Sequence, residues 1–178
     1  MIVGSIARRY AKALLSIGIE ARTFEALGRE VERLGKSYKD SAELREALTN
    51  PVFPMAQRQH LLEELGRRLA LSRTTQHFAQ MLLSRGRISY VSDIARELRA
   101  LVDAQANRVR ATVTSARPLD IAAEVRIKAS LEKATGKTVI LEKREDASLL
   151  GGVVTQIGDV VYDGSLLTQL NNLRQSLL

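Results

Sequence analysis

Few side chains in this sequence are suited to catalysis or to metal binding. There is no cysteine, and the two histidines, His60 and His77, lie in amphipathic helical segments at no spacing that a zinc site uses. Glu63 and Glu64 are paired only in sequence, because adjacent positions on a helix point about 100° apart. Gly151–Gly152 precedes a strand pattern rather than a helix and makes a poor phosphate cradle. With no hydrolase, zincin, dinucleotide or P-loop motif, the sequence predicts a chain that is not an enzyme and holds no cofactor or metal.

The chain is basic, with 27 Lys and Arg against 20 Asp and Glu and a net charge of +7. The pairs Arg67–Arg68 and Arg85/Arg87 could contact phosphate, or they could complement helix dipoles at helix C-termini. Aromatic residues make up only 4% of the chain, which leaves few rings to stack on bases. A basic RNA-binding or ribosome-associated protein is therefore an alternative hypothesis, and its binding would weaken steeply between about 50 and 200 mM salt. A hydrolase with an unrecognised site is a third hypothesis, which no acidic cluster supports.

Helical periodicity dominates the first two-thirds of the chain. Asn50 to Pro54 interrupts it as a fixed elbow, because each proline disfavours helix at the residue before it. The pattern predicts six helices joined by short loops, and hence a helical bundle. Their approximate bounds are Ser5–Ile17, Thr23–Tyr38, a short helix capped by Asp40 and ending near Thr49, Ala56–Ala70, a fifth helix capped by Ser72 or Thr74 and ending at Arg85–Gly86–Arg87, and Ser89–Ala106.

The hydrophobic period changes from helical to alternating near Asn107. Gly158–Asp159 has the length and composition of a tight hairpin turn between two strands. The remaining elements are strand Arg108–Thr114, a helix opened by Pro118–Leu119–Asp120 and stopped by Gly136, strands Thr138–Lys143, Val153–Ile157 and Val160–Tyr162, and a final helix Ser165–Leu177. The predicted fold class is α+β with two domains. Residues 1–106 form a six-helix bundle, and residues 107–178 form a small α+β domain with a mixed sheet, with no flexible linker between them.

Two predicted helices carry more apolar surface than a bundle core needs. The apolar residues of the second helix fill an arc of only about 80°, whereas those of the first and fifth helices sweep about 200°. An extra apolar edge at Ala7, Ala11 and Leu15 would face a second edge at Ala79 and Leu83. The two edges would then form an exposed groove for a partner helix. The alternative is that both helices are simply central in the bundle.

Several segments resemble one family along nearly the whole chain. They are Ala7 to Leu14, Asn50–Pro51, Leu82 to Ile88 and a C-terminal block containing Gly151, Gly152, Val153, Gly158, Asp163 and Ser165. Together they resemble the delta subunit of bacterial F-type ATP synthase, called the oligomycin-sensitivity-conferring protein in mitochondria. One departure is that Leu166 to Gln169 follows the last turn, where many members place a basic residue.

The resemblance implies a non-catalytic stator subunit that links the catalytic hexamer to the peripheral stalk and resists rotation during proton-driven ATP synthesis. It implies that the first and fifth helices grip the N-terminal helix of an alpha subunit, and that the C-terminal domain meets the C-terminal ends of b-type stalk subunits. The partner-binding positions would be Ala7, Tyr10, Ala11, Leu15, Phe78, Ala79, Leu82 and Leu83. Nucleic acid is not an expected partner.

No apolar run approaches the roughly 20 residues that a membrane span needs, so no direct membrane insertion is expected. The N-terminus carries no signal-peptide pattern and only a superficial likeness to a transit peptide. These features favour a bacterial form, held at the cytoplasmic face of the inner membrane through its complex.

Overall fold

The computed structural model describes residues 2–146, 149, 151–158 and 160–163. Seven α-helices lie in this part of the chain, six of them before the first strand. Their bounds are α1 Ile2–Glu20, α2 Phe24–Asp40, α3 Ala42–Thr49, α4 Met55–Arg68, α5 Arg73–Ser84, α6 Val91–Gln105 and α7 Ile121–Thr135, with a 3₁₀ turn at Ile88–Tyr90 before α6. The strands are β1 Arg108–Ser115, β2 Thr138–Glu145, β3 Val153–Ile157 and β4 Val160–Asp163. The helix predicted at 165–177 lies outside the described residues.

The chain divides into two compact units between Val102 and Asp103, inside α6. This helix continues across the division to Gln105, and only Ala106 and Asn107 separate it from β1. The connection between the last helix of the bundle and the first strand is therefore two residues long.

The helical unit is organised around α2, which packs against α1, α3 and α5. Its apolar stripe of Leu27, Val31, Leu34 and Tyr38 is buried, as its narrow arc predicts. The largest fully buried side chains from the other helices are Leu14, Leu48, Leu82, Leu83, Ile94, Leu98 and Val91. Leucine, isoleucine and valine thus supply the packing that the scarcity of aromatic residues requires.

Side-chain caps set the starts of several helices. Ser72 caps α5, because its Oγ accepts the backbone N–H of Thr75. The prediction that Asp40 caps α3 is wrong, because Asp40 is the last residue of α2. The extended residue Ser41 takes that place, and its Oγ accepts the N–H of Leu44 at 3.0 Å.

Helix α5 ends in a Schellman motif. The N–H of Arg87 donates to the carbonyl of Leu82 at 2.7 Å, and the N–H of Gly86 donates to the carbonyl of Leu83 at 3.0 Å. Gly86 has φ +65°, a backbone conformation that glycine adopts without steric penalty. The same arrangement of bonds closes α4 around Ala70, whose φ is +48° even though it carries a side chain. The sequence Arg85–Gly86–Arg87 therefore ends the helix where it was expected to end.

The second unit is a four-stranded sheet of order β2-β1-β3-β4. Strand β1 pairs parallel with β2 and antiparallel with β3, and β3 pairs antiparallel with β4, so the sheet is mixed, as predicted. The two-residue hairpin turn is also confirmed, because Ile157 pairs with Val160. Alternate residues of β1, namely Ala111, Val113 and Ser115, are buried.

An ion cluster holds the last turn of α6 to β1 within this second unit. Asp103, whose side chain is only 9% exposed, accepts a hydrogen bond from Nε of Arg110 at 2.5 Å. Arg108 lies 3.7 Å from the same carboxylate, and Arg110 also reaches Glu142 at 3.3 Å. The short connection from helix to strand is therefore fixed by charge-assisted hydrogen bonds.

Candidate docking surface on α1 and α5

The exposed edge predicted at Ala7 and Ala11 is wrong. Both alanines have 0% exposure and belong to the bundle core together with Leu14. The opposing edge is buried as well, because Ala79 and Leu83 are each 1% exposed. Leu82, another predicted partner-binding residue, is 0% exposed. The physical reason is that alanine lets α1 pack closely on the bundle, so this half of the wide apolar arc is core. Leu15 is half-buried and packs against this core.

The apolar surface that α1 leaves uncovered is its other flank. Ile6, Tyr10, Ala13 and Ile17 follow one another at spacings of four, three and four residues, so they form a single stripe. Ile6 and Tyr10 are half-buried, whereas Ala13 is exposed and Ile17 is 48% exposed. The wide arc of α1 therefore has one core side and one accessible side. The predicted partner residues Ala7 and Ala11 lie on the core side, whereas Tyr10 lies on the accessible stripe.

Tyr10 connects this stripe to α5. Its ring meets that of Phe78 edge to face, with the ring centroids 6.2 Å apart and the planes at 66°. Met81, one turn after Phe78, is half-buried on the same side of α5. Phe78 itself is only 8% exposed and belongs to the core, so the prediction that it contacts a partner directly is wrong, and it supports the Tyr10 ring from below. The residues Ile6, Tyr10, Ala13, Ile17 and Met81 together form what we call the α1–α5 surface.

Arg87 holds the phenol of Tyr10 in place. Its Nη1 donates to the Tyr10 oxygen at 2.5 Å, and its guanidinium carbon lies 5.7 Å from the ring centroid, a cation–π contact. Burial raises the pKa of Tyr10, but the hydrogen bond and charge of Arg87, with the charge of Arg85, outweigh it and lower that pKa below its ordinary value. One end of the α1–α5 surface is therefore positively charged.

Glu30 of α2 fixes the other end of α5. Its carboxylate accepts hydrogen bonds from the backbone N–H of Ser72 at 2.9 Å, from the Ser72 hydroxyl at 2.7 Å and from the Thr75 hydroxyl at 2.5 Å. Burial raises the pKa of Glu30, but the bonds from Thr75 and Ser72 lower it by more. Thr75 precedes Phe78 by one turn, so this network positions the α5 side of the surface.

The C-terminal signature residues lie around the sheet rather than in the bundle. Val153 begins β3, and Asp163 ends β4 opposite Val154. Gly158 opens the hairpin turn with φ +57°, which explains the glycine at this position. Gly151 and Gly152 line a surface pocket beside Asp120 at the start of α7. Ser165 falls outside the residues that the structure describes.

The residue types that could catalyse a reaction or bind a metal do not cluster in the described part of the chain. His60 and His77 are both exposed. Within residues 2–146, 149, 151–158 and 160–163, no three His, Asp or Glu side chains converge as metal ligands would. None of the helices in the same ranges has the length and apolar character that crossing a membrane requires.

Residues 6–177 match the family described as ATP synthase delta (OSCP) subunit. The chain is 45% identical to ATP synthase subunit delta of Anaeromyxobacter sp. strain Fw109-5, covering 99% of both chains. It is 39% identical to the protein of that name from Myxococcus xanthus strain DK1622, covering 99% of this chain and 98% of the relative. A chain of the Toxoplasma gondii mitochondrial ATP synthase hexamer shares the fold, with a TM-score of 0.71 at 19% identity over 96% of each chain.

Proposed function

Given that this chain belongs to the ATP synthase delta (OSCP) subunit family, we propose that its helical unit holds the catalytic head of the enzyme through the α1–α5 surface. Members of this family are structural stator subunits, and the chain is accordingly a non-catalytic part of the peripheral stalk. Its task is mechanical, because a rotary enzyme transmits torque only if the catalytic hexamer is held still. The family assignment gives no support to the RNA-binding alternative.

The proposed occupant of the α1–α5 surface is the N-terminal helix of an alpha subunit. The observation that carries this proposal is the accessible stripe from Ile6 to Ile17. Within it the ring of Tyr10 rests against the buried ring of Phe78 on α5. The eleven residue steps of the stripe extend about 16 Å, or three helical turns, which suits an amphipathic helix with its own apolar stripe. Burying Ile17 and the edge of Tyr10 would then provide the hydrophobic part of the affinity.

The second unit is proposed to bind the C-terminal ends of the b-type stalk subunits. Exposed apolar side chains support this role: Val160, Val161 and Tyr162 on the edge strand β4, and Ile121 and Val125 on α7. Through these contacts the subunit would stay peripheral, at the cytoplasmic face of a bacterial inner membrane. In this role the subunit would resist rotation of the catalytic hexamer during proton-driven ATP synthesis.

A matched pair of isoleucines tests the docking surface. Ile17 and Ile19 are 48% and 41% exposed on the same helix, but they point about 160° apart, and only Ile17 lies on the stripe. We expect Ile17→Asp to weaken binding of a synthetic alpha-subunit N-terminal peptide at least roughly tenfold in calorimetric titration, the scale of an interface hot spot. Ile19→Asp should bind as the parent does, and both variants should keep the parent melting temperature. Equal affinities for the two variants would refute the placement of the surface.

A further inference from the structure

The basic end of the α1–α5 surface is formed by Arg85 and Arg87. Several arginines of the bundle pair with carboxylates, as Arg8 does with Glu97 and Arg99 with Glu32. Within the described parts of the chain, no carboxylate lies within 4.0 Å of the Arg85 or Arg87 guanidinium. Both charges act on Tyr10, so they lie at the surface where a docked helix would pass.

Arg87 is also held in a fixed orientation. The Schellman motif at Gly86 fixes the backbone of Arg87, whose N–H is bonded to the carbonyl of Leu82. The phenol oxygen of Tyr10 on α1 accepts one N–H of the Arg87 guanidinium. A guanidinium has five N–H donors, so others remain for a second acceptor. The helix dipole alone does not account for this arrangement, because the guanidinium bonds to Tyr10 on α1 rather than to the last carbonyls of α5.

We propose that Arg85 and Arg87 bind a carboxylate of the docked helix and thereby fix its direction and register on the α1–α5 surface. The inference rests on the proposed function and adds to it a partner chemistry. The helix must carry an Asp or Glu beside the apolar residue that meets Tyr10. Its remaining apolar residues extend toward Ile17, seven positions and about 10 Å along α1. A guanidinium already oriented by Tyr10 loses little further freedom when it binds the carboxylate, so the contact is both directional and favourable.

The test uses the full-length protein and two synthetic peptides. One is the alpha-subunit N-terminal segment of the same organism, and the other is a copy in which each Asp and Glu is replaced by Asn and Gln. Calorimetric titration should show the amide copy binding roughly tenfold more weakly to the parent protein, as expected for losing a charged hydrogen bond. The double variant Arg85→Gln/Arg87→Gln should bind both peptides with the same reduced affinity, because the two changes remove one interaction.

A second basic pair provides the control. Arg67→Gln/Arg68→Gln removes the same formal charge from the end of α4, and this protein should still discriminate between the two peptides as the parent does. Raising the salt concentration should weaken the acidic peptide on the parent more than on the Arg85/Arg87 variant.

Three results would overturn the inference. They are equal affinity of the parent for both peptides, unchanged discrimination in the Arg85→Gln/Arg87→Gln protein, or an alpha-subunit segment without an acidic residue in its apolar stretch. Each of these leaves the proposed function intact if Ile17→Asp still weakens peptide binding at least roughly tenfold. If neither peptide binds the parent protein, the proposed function and the inference fail together.

Discussion

A single charge placed at two positions of α1 distinguishes its core side from its accessible side. Ala11 is 0% exposed among the leucines of the bundle, whereas Ala13 is exposed to solvent two residues later. Ala11→Asp and Ala13→Asp make the same chemical change on the same helix, with nearly the same loss of helix propensity. Any difference in stability between the two variants therefore reports the burial of the site.

The expected difference is large. An unpaired carboxylate loses its hydration at Ala11, and the effective penalty for a buried ion is several kcal/mol. We expect Ala11→Asp to lower the free energy of unfolding by at least about 3 kcal/mol, a large share of the roughly 5 to 15 kcal/mol of an ordinary domain. Ala13→Asp should change it by about 0.5 kcal/mol or less, as at other surface sites.

The pH dependence of the unfolding free energy provides a second, independent test of whether position 11 is buried. Burial would raise the pKa of the new carboxyl at position 11 above its unfolded value of about 3.9. The stability deficit of Ala11→Asp should therefore be smallest below about pH 4, where the carboxyl is protonated in both states. It should grow by about 1.4 kcal/mol per pH unit until the carboxyl ionises in the folded protein. Ala13→Asp should show no such growth.

Urea unfolding followed by far-ultraviolet circular dichroism at about pH 4 and about pH 7 measures these quantities. Equal stabilities of the two variants at both pH values would refute the assignment of Ala11 to the core. In that case Ala7 and Ala11 would again be candidates for the docking face.

Further predictions concern the ends of helices and the ion cluster. Because the pKa of Glu30 is lowered, its stabilising contribution is present above the ordinary glutamate pKa and is lost as pH falls through the folded value. Glu30→Gln should cost about 1 to 2 kcal/mol at neutral pH and reduce the acid sensitivity of urea unfolding. Ala70→Gly should stabilise the protein by about 1 kcal/mol in thermal melts, since Ala70 has φ +48°, and Gly86→Ala should destabilise it by a similar amount. Asp103→Asn should lower the free energy of unfolding by about 1 to 2 kcal/mol in urea, because Arg110 loses the shorter of its two carboxylate contacts and keeps the longer one to Glu142, and no loss would show that solvent replaces the ion pair.

Local signals made most of the element order predictable. Ser72 and Gly86 mark the two ends of α5 because a hydroxyl cap and a left-handed glycine act within one turn of the chain. Gly158 identifies the hairpin in the same way, through the backbone conformation that the turn needs. The assignment of the α3 cap to Asp40 failed because the next residue, Ser41, can also cap a helix. Only the backbone, with Ser41 extended at φ −109° and ψ 118°, decides which one does.

The docking surface could be predicted only in part. A helical wheel gives the width of the apolar arc of a helix, but it does not say which part of the arc faces the core. That depends on the neighbouring helices, and in this bundle they bury Ala7 and Ala11. The contact of Arg87 with Tyr10 joins residues 77 positions apart, and no local pattern encodes such a pair. The sequence could identify α1 and α5 as unusual helices, but it could not assign the accessible flank or its charge.

The continuity of α6 across the division at Val102 and Asp103 has a mechanical consequence. A flexible linker would act as an entropic spring, because pulling on it extends the chain and lowers its conformational entropy. An unbroken helix, followed after two residues by a strand and clamped by the bond from Arg110 to Asp103, offers little extensible length. At this point the backbone has low elastic compliance, because no segment of irregular chain longer than two residues is available to extend.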